Sequence, residues 1–346
     1  MTSAHRTDPK ALTWGVIAVL LLLAMVFLGS GRLKWFDAAL VGYLVGTLFA
    51  TFGIVYRYVL WLRLPPTAMM SKRGWQAFLM RGNRGRNLLA LPGLIFTRLA
   101  IQAFIRKRST ARWLAHQLVF WGTMLAAAVT FPLVFGWIHF KSVGQDAARY
   151  QLFFANIGMV SFDAKSIIGS LIVHVLNIAA FLVIAGVLIF LWRRLRDPGA
   201  LAVERSGDIL AIAGLFAVSI TGLMLTASNL WLEGRFYPFL TTFHALTVIL
   251  GLMYIPFGKL FHIFQRPANL GVEYYKRAAI EGEQQHCSDC GEAFASVLQM
   301  SDIKEILPQV GFDYSTATGG NYQDLCPRCR RTRVTRAQAR LVGGFG

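Results

Sequence analysis

Six apolar runs divide the chain: Leu12–Leu28, Phe36–Leu62, Trp113–Trp137, Ile167–Trp192, Ile209–Leu230 and Thr241–Phe264. A helix needs ~20 apolar residues to cross the hydrocarbon core of a bilayer, so each run predicts a membrane span. Between the second and third runs, Leu88–Phe104 carries apolar residues at helical spacing, with Arg84, Arg86, Arg98 and Arg106 around them. This pattern predicts an amphipathic helix lying on a membrane surface over about 84–108. After the last run, Ser296–Leu307 reads as a further helix. The expected fold is an all-α integral membrane protein of about six transmembrane helices with a small C-terminal module. Its expected divisions are an N-terminal anchor over 1–34, a transmembrane domain over 35–268, and a module with a basic tail over 269–346. Arg6 and Lys10 resemble the start of a signal peptide, but Ala11–Leu28 is long and no tidy A-x-A site follows, so the first run reads as an anchor helix.

Composition agrees, with 55% hydrophobic residues in 346. A formal net charge of +18 could point to nucleic acid, but topology accounts for most of it. Lys72, Arg73, Arg81, Arg84, Arg86, Arg98, Arg106, Lys107, Arg108 and Arg112 lie between runs two and three. Arg193, Arg194, Arg196 and Arg205 lie between runs four and five, and more arginines follow run six. The positive-inside rule then places both termini in the cytoplasm; the expected location is a bacterial or archaeal cytoplasmic membrane. The opposite loops, Gly29–Trp35, Phe140–Lys165 and Trp231–Leu240, are far less basic. The amphipathic segment suits a membrane surface or a docking ledge, and the tail with Arg330, Arg331, Arg333, Arg336 and Arg340 suits lipid headgroups or an acidic face of a soluble partner; nucleic acid is not an expected partner. Almost no Asp or Glu interrupts the spans, which argues against a transporter.

Five of the seven histidines fall in the membrane region; His5 lies in a polar tail and His286 adjoins a cysteine. His262 follows His244 by eighteen positions within the sixth run. On one continuous helix that is five turns, so both rings would share a face ~27 Å apart. Imidazoles buried in a membrane are costly unless they bind something, commonly a metal or a haem iron. His116, at the cytoplasmic start of the third run, is level with His262, so the two can hold one haem. His244 needs a partner on the outer side. His174, in the fourth run, is preferred over His139, which at ~34 Å from the level of His116 lies beyond the hydrocarbon core. Against this, a single intramembrane histidine is as readily a helix-to-helix hydrogen bonder as a ligand. A haem with two histidine ligands has no open coordination position and transfers electrons.

The segment Phe243-His244 through Met253-Tyr254-Ile255-Pro256-Phe257-Gly258-Lys259-Leu260-Phe261-His262 resembles the last helix of the nitrate reductase gamma-subunit family of membrane cytochromes b. That family includes the membrane cytochrome subunits of heterodisulfide reductase and dissimilatory sulfite reductase complexes. The resemblance covers roughly spans two to six. It implies two haems b, with His244, His262 and His116 matching three ligand positions. It also implies exchange with membrane quinone (menaquinone or ubiquinone) near the outer haem, and electron transfer to a cytoplasmic iron–sulfur, flavin or molybdenum subunit. One position departs from the family: the gamma subunit takes its outer ligand ten residues after the inner one on the same helix, where this chain has Ala126. The outer haem is then absent or held by another helix, with His174 as the candidate.

All four cysteines follow the last run, as Cys287-Ser288-Asp289-Cys290 and Cys326-Pro327-Arg328-Cys329. Two C-x-x-C pairs in a cytoplasmic module predict a four-thiolate metal site rather than disulfides. Zinc is the first expectation; one iron in a rubredoxin-like site, suggested by Cys290-Gly291 and Cys326-Pro327, or an iron–sulfur cluster are the alternatives. His286 is not needed as a ligand when four cysteines are present. Two functions follow: a quinone-linked electron-transfer subunit with one or two bis-histidine haems, or a membrane anchor without haem whose zinc-bound domain docks a cytoplasmic enzyme.

Overall fold

The computed structural model describes residues 7–80, 82–144, 148–196, 206–316 and 319–343, except for the side chains of 206–208. His5, Arg6, Arg81 and Arg205 lie outside the described residues. The described residues are mostly helical and among them are six helices long and apolar enough to cross a membrane, the make-up of a multi-pass membrane protein. The chain forms two compact units: 1–59 with 96–265, and 60–95 with 266–346.

In the first unit the six long helices are α1 (Pro9–Gly29), α2 (Val41–Arg63, continuing into the second unit), α6 (Thr110–Val134), α8 (Val175–Arg196), α9 (Ser206–Trp231) and α10 (Tyr237–Tyr254). Asp8 caps α1 by accepting from the N–H groups of Lys10 and Ala11, and Pro9 takes the first helical position, where it lacks nothing the helix needs. Small residues let the helices approach. A Cβ on Gly122 of α6 would lie 2.8 Å from the Ala179 carbonyl oxygen of α8, and one on Gly186 of α8 would lie 2.7 Å from the Ala115 carbonyl oxygen of α6. With little hydrophobic force between helices in lipid, such close packing supplies much of the association. The outward faces are apolar, with Leu21 of α1, Phe181 of α8 and Leu246 of α10 all more than half exposed, surface that a bilayer can solvate.

Three predicted helices are interrupted. The sixth run ends as α10 at Tyr254, and His262 belongs to a separate short helix, α11 (His262–Gln265). The five-turn relation between His244 and His262 therefore does not hold. Pro256 has no N–H to continue the ladder and Gly258 is extended at φ −90° and ψ −174°. The fourth run is α7 (Ile167–Val173) and α8, separated at His174, whose φ of −97° and ψ of 10° end the first of them. The amphipathic segment is likewise not one helix. It comprises α4 (Arg84–Ile95), a π turn at Phe96–Ala100 and α5 (Ala103–Arg106), with Gln102 left-handed at φ 54° before α5.

The segment expected as a plain outer loop holds an antiparallel sheet, β1 (Ile138–Ser142), β2 (Arg149–Phe154) and β3 (Ile157–Asp163). Ala155 and Asn156, both at positive φ, make the tight β2–β3 turn. His139 lies in β1 rather than at the end of the third span.

The second unit joins α3 (Pro65–Leu79) and α4 to α12 (Asn269–Glu281), the hairpin β4 (Gln284–His286) and β5 (Ala293–Ser296), α13 (Val297–Gln309) and α14 (Pro327–Leu341). The helix expected over Ser296–Leu307 is α13, capped by the Ser296 hydroxyl. Where α3 crosses α12, a Cβ on Gly74 would meet the Gly271 backbone at 2.8 Å. Buried Asn87 donates to the carbonyls of Ala77 and Phe78, while its own carbonyl accepts from Tyr274 Oη. Asp302 of α13 is 2% exposed, accepts two hydrogen bonds from Arg73 Nε and one from its Nη2, and also accepts from Tyr275 Oη. Burial and then Asp302 push the Tyr275 phenol pKa upward, keeping it a donor.

Asp302→Ala removes the acceptor shared by Arg73 and Tyr275. Since solvent reaches Arg73, the expected loss is ~2 kcal/mol rather than the cost of breaking a fully buried pair. It would be seen as faster limited proteolysis within 266–346 in the detergent-purified chain.

Candidate functional site

His116 lies in the second turn of α6 and His262 opens α11; their ring centroids are 6.4 Å apart, with ring planes at 74°. Local sequence places each. Ser109 caps α6, and the Ile101 carbonyl accepts from both Trp113 Nε1 and Gln117 Nε2, fastening the start of α6 to the segment before it. His262 Nδ1 is 2.7 Å from the Lys259 carbonyl oxygen. A carbonyl only accepts, so Nδ1 carries the proton and Nε2 keeps its lone pair, the arrangement found in metal-bound histidines.

His244 of α10 is set in the same way. Its Nδ1 is 2.8 Å from Thr221 Oγ1 of α9, whose hydroxyl donates to the Ala217 carbonyl, so Nδ1–H donates to the threonine oxygen and Nε2 is left as an acceptor. His174 has the opposite arrangement. Asn177 Nδ2 donates to its Nδ1 at 3.0 Å, while Asn177 Oδ1 accepts from Thr226 Oγ1 of α9, so a neutral His174 carries its proton on Nε2. Both rings thus connect to α9, at positions five residues apart.

His139 stacks between Trp35 at 4.0 Å and Phe153 at 5.1 Å, nearly parallel to both. Burial first, then Lys141 and Lys34, lowers its pKa. This environment gives the ring a packing role in the sheet.

Space exists on the histidine-bearing faces. Gly251 lies two turns after His244 on α10, and Gly214 lies two turns before Thr221 on α9; neither has an atom within 4 Å of where a Cβ would stand. An open apolar groove of about 340 Å³ lies at the turn from α9 to α10, lined by Met224, Ala227, Leu232, Phe236, Phe239 and Leu240, the last one turn before His244.

The residue the sequence reading passed over is Arg57 of α2. It donates through Nη1 to the Pro256 carbonyl at 2.5 Å, and its guanidinium carbon lies 4.2 Å from the centroid of the Phe261 ring. An arginine inside the second apolar run, five residues before its end, was the available signal.

In the second unit the four cysteine sulfurs all lie within 4.8 Å of one another and can hold a metal ion such as zinc or iron. Cys290 Sγ and Cys326 Sγ are 3.7 Å apart, close to the ~3.8 Å edge of a tetrahedron of sulfurs ~2.3 Å from a metal and far beyond a disulfide bond. The two pairs are built differently. Cys287 and Cys290 sit in the β4–β5 turn, where Gly291 is at φ 72° and its N–H donates to the Cys287 carbonyl. Cys326 is the N-cap of α14, followed by Pro327, so Cys329 lies in the first helical turn.

The Cys326 N–H donates to Cys287 Sγ, and this bond chiefly brings the Cys287 thiol down to about 6. Hydrogen bonds with neighbouring thiols, that with Cys326 foremost, push Cys329 up to about 12. Among metal-free thiols, then, Cys287 ionises before Cys290 and Cys329. Buried Cys287, Leu325 and Cys326 pack with Phe294 and Tyr322. His286 turns its Nδ1 to the Gly291 carbonyl, consistent with the four cysteines forming the set.

Elemental analysis of the purified chain should find one metal per chain, and X-ray absorption should show four sulfur neighbours at ~2.3 Å. Cys326→Ser, which alters both a ligand and the cap of α14, should reduce the retained metal at least ~10-fold. No family model, characterised protein or solved structure matches this chain.

Proposed function

We propose that the chain is a membrane cytochrome b subunit that passes electrons between a membrane quinone and a cytoplasmic redox partner, an iron–sulfur, flavin or molybdenum protein. The observation that carries this reading is the 6.4 Å separation of the His116 and His262 rings, contributed by segments far apart in the chain. Two imidazoles that held one metal ion ~2.0 Å from each Nε2 would have centroids at most ~6.3 Å apart, reached with the ion midway between them. The Lys259 carbonyl leaves Nε2 of His262 with the required lone pair. Haem iron held by two imidazoles supplies one-electron transfer without an open coordination position.

The chain's own residues do the remaining work. Lys259 and Thr221 fix the tautomers of His262 and His244 through Nδ1, so that each presents Nε2. The likeness of the His244–His262 segment to the nitrate reductase gamma-subunit family supports the same assignment. In the second haem site His244 pairs with His174, for which the Asn177 amide must turn over or release the ring; this makes the second site the weaker of the two. The apolar groove beside His244 suits the ring or tail of a quinone. Zinc is the reading for the four cysteines, because Cys326 opens a helix where a rubredoxin knuckle closes a glycine turn. On this reading the basic loops and both termini lie in the cytoplasm of a bacterial or archaeal cell, an orientation that the positive-inside rule supports.

A reduced-minus-oxidised spectrum of the purified chain from haem-replete cells should show a b-type band. His116→Ala and His262→Ala should remove the same component, and His174→Ala a second one. Gly258→Ala drives a Cβ into the Tyr254 ring and should weaken the His262 component while sparing the second. If no band is found in the unmodified chain, the haem-free anchor with a metal-bound docking domain stands instead.

A further inference from the structure

We propose that Arg57 is a positioning residue for His262 and raises the reduction potential of the group held there, an inference that rests on the cytochrome reading. Arg57 lies within a helix apolar enough to cross a membrane, where an arginine is costly unless it is engaged. Among the described residues its side chain meets two groups, both in the segment that carries His262. Where α10 ends, the Pro256 carbonyl accepts from Arg57 Nη1. Five residues later Phe261, 2% exposed and immediately before His262, lies with its ring centroid 4.2 Å from the guanidinium carbon.

Approach of the two segments depends on Gly53, one turn before Arg57, since a Cβ there would lie 2.7 Å from the Pro256 ring. Arg57 thus fixes both ends of the turn that aims His262, one by a hydrogen bond and the other by a cation–π contact. Neither of these partners neutralises the guanidinium. Its charge stays close to His262, and a nearby positive charge favours the reduced, less positive state of a bound iron.

The test uses the full chain with Arg57→Met, Arg57→Lys and Phe261→Leu, read by the b-type absorbance that depends on His116, by the low-spin electron paramagnetic resonance g values, and by redox titration. Arg57→Met should lower that absorbance ~10-fold, as loss of a supporting residue around a metal ligand does, and the remainder should titrate at lower potential. Lysine can donate to Pro256 without lying flat on Phe261, so Arg57→Lys should recover the absorbance but keep altered g values. Monodisperse elution in detergent and a wild-type thermal unfolding midpoint of the helical content report whether each variant has folded. If Arg57→Met retains wild-type absorbance, g values and potential, the proposal is overturned. If that variant does not fold, wild-type spectra in both Arg57→Lys and Phe261→Leu overturn it. A wild-type chain without a b-type band would instead sink the cytochrome reading itself.

Discussion

A backbone carbonyl released from a helix within an apolar segment must find another donor, and the arrangement around His262 depends on how that demand is met. Pro256 cannot continue the ladder of α10, and its own carbonyl is taken by Arg57. The glycine at position 53 lets the arginine-bearing helix come close enough, and Gly258 lets the chain turn beneath the Tyr254 ring. His262 leaves this turn on a new helix, with Nδ1 bound to the Lys259 carbonyl and its ring near His116. A helix continued to Phe264 would have aimed the ring by the periodicity of α10. The break lets local contacts aim it.

The second unit uses buried polar groups in a comparable way. Asp302 links α3 to α13 through Arg73 and also holds Tyr275 of α12, while Asn87 and Tyr274 close the gap between α4 and α12. Its four-cysteine cluster joins a hairpin turn to the start of a helix, two elements with a small shared core. A bound metal would add what so little buried surface cannot. Arg328, Arg331, Arg336 and Arg340 of α14 are exposed, while Arg333 pairs with Asp289 of the first cysteine turn.

The apolar runs were legible as helices because a span must be apolar over a length set by the bilayer, and six of them appear close to the expected positions. The cysteine cluster was legible because paired C-x-x-C spacing matches the geometry of a four-thiolate site. The sheet at 138–163 was missed because its strands are short, and their pairing depends on contacts that no periodicity records. For the same reason His139 read as the end of a helix, when its ring is stacked between Trp35 and Phe153.

The sequence by itself determined which segments are apolar enough for a membrane, which four thiols belong together, and which histidines lie in or beside the spans. Each of these follows from local composition and spacing. Only the tertiary structure decided that the helix carrying His244 stops before His262, that Arg57 braces the turn between these two histidines, and that 60–95 folds with 266–346. Those outcomes rest on contacts between residues as far apart as Arg57 and Pro256, where one donor and one freed carbonyl must meet, and no local pattern encodes such a meeting.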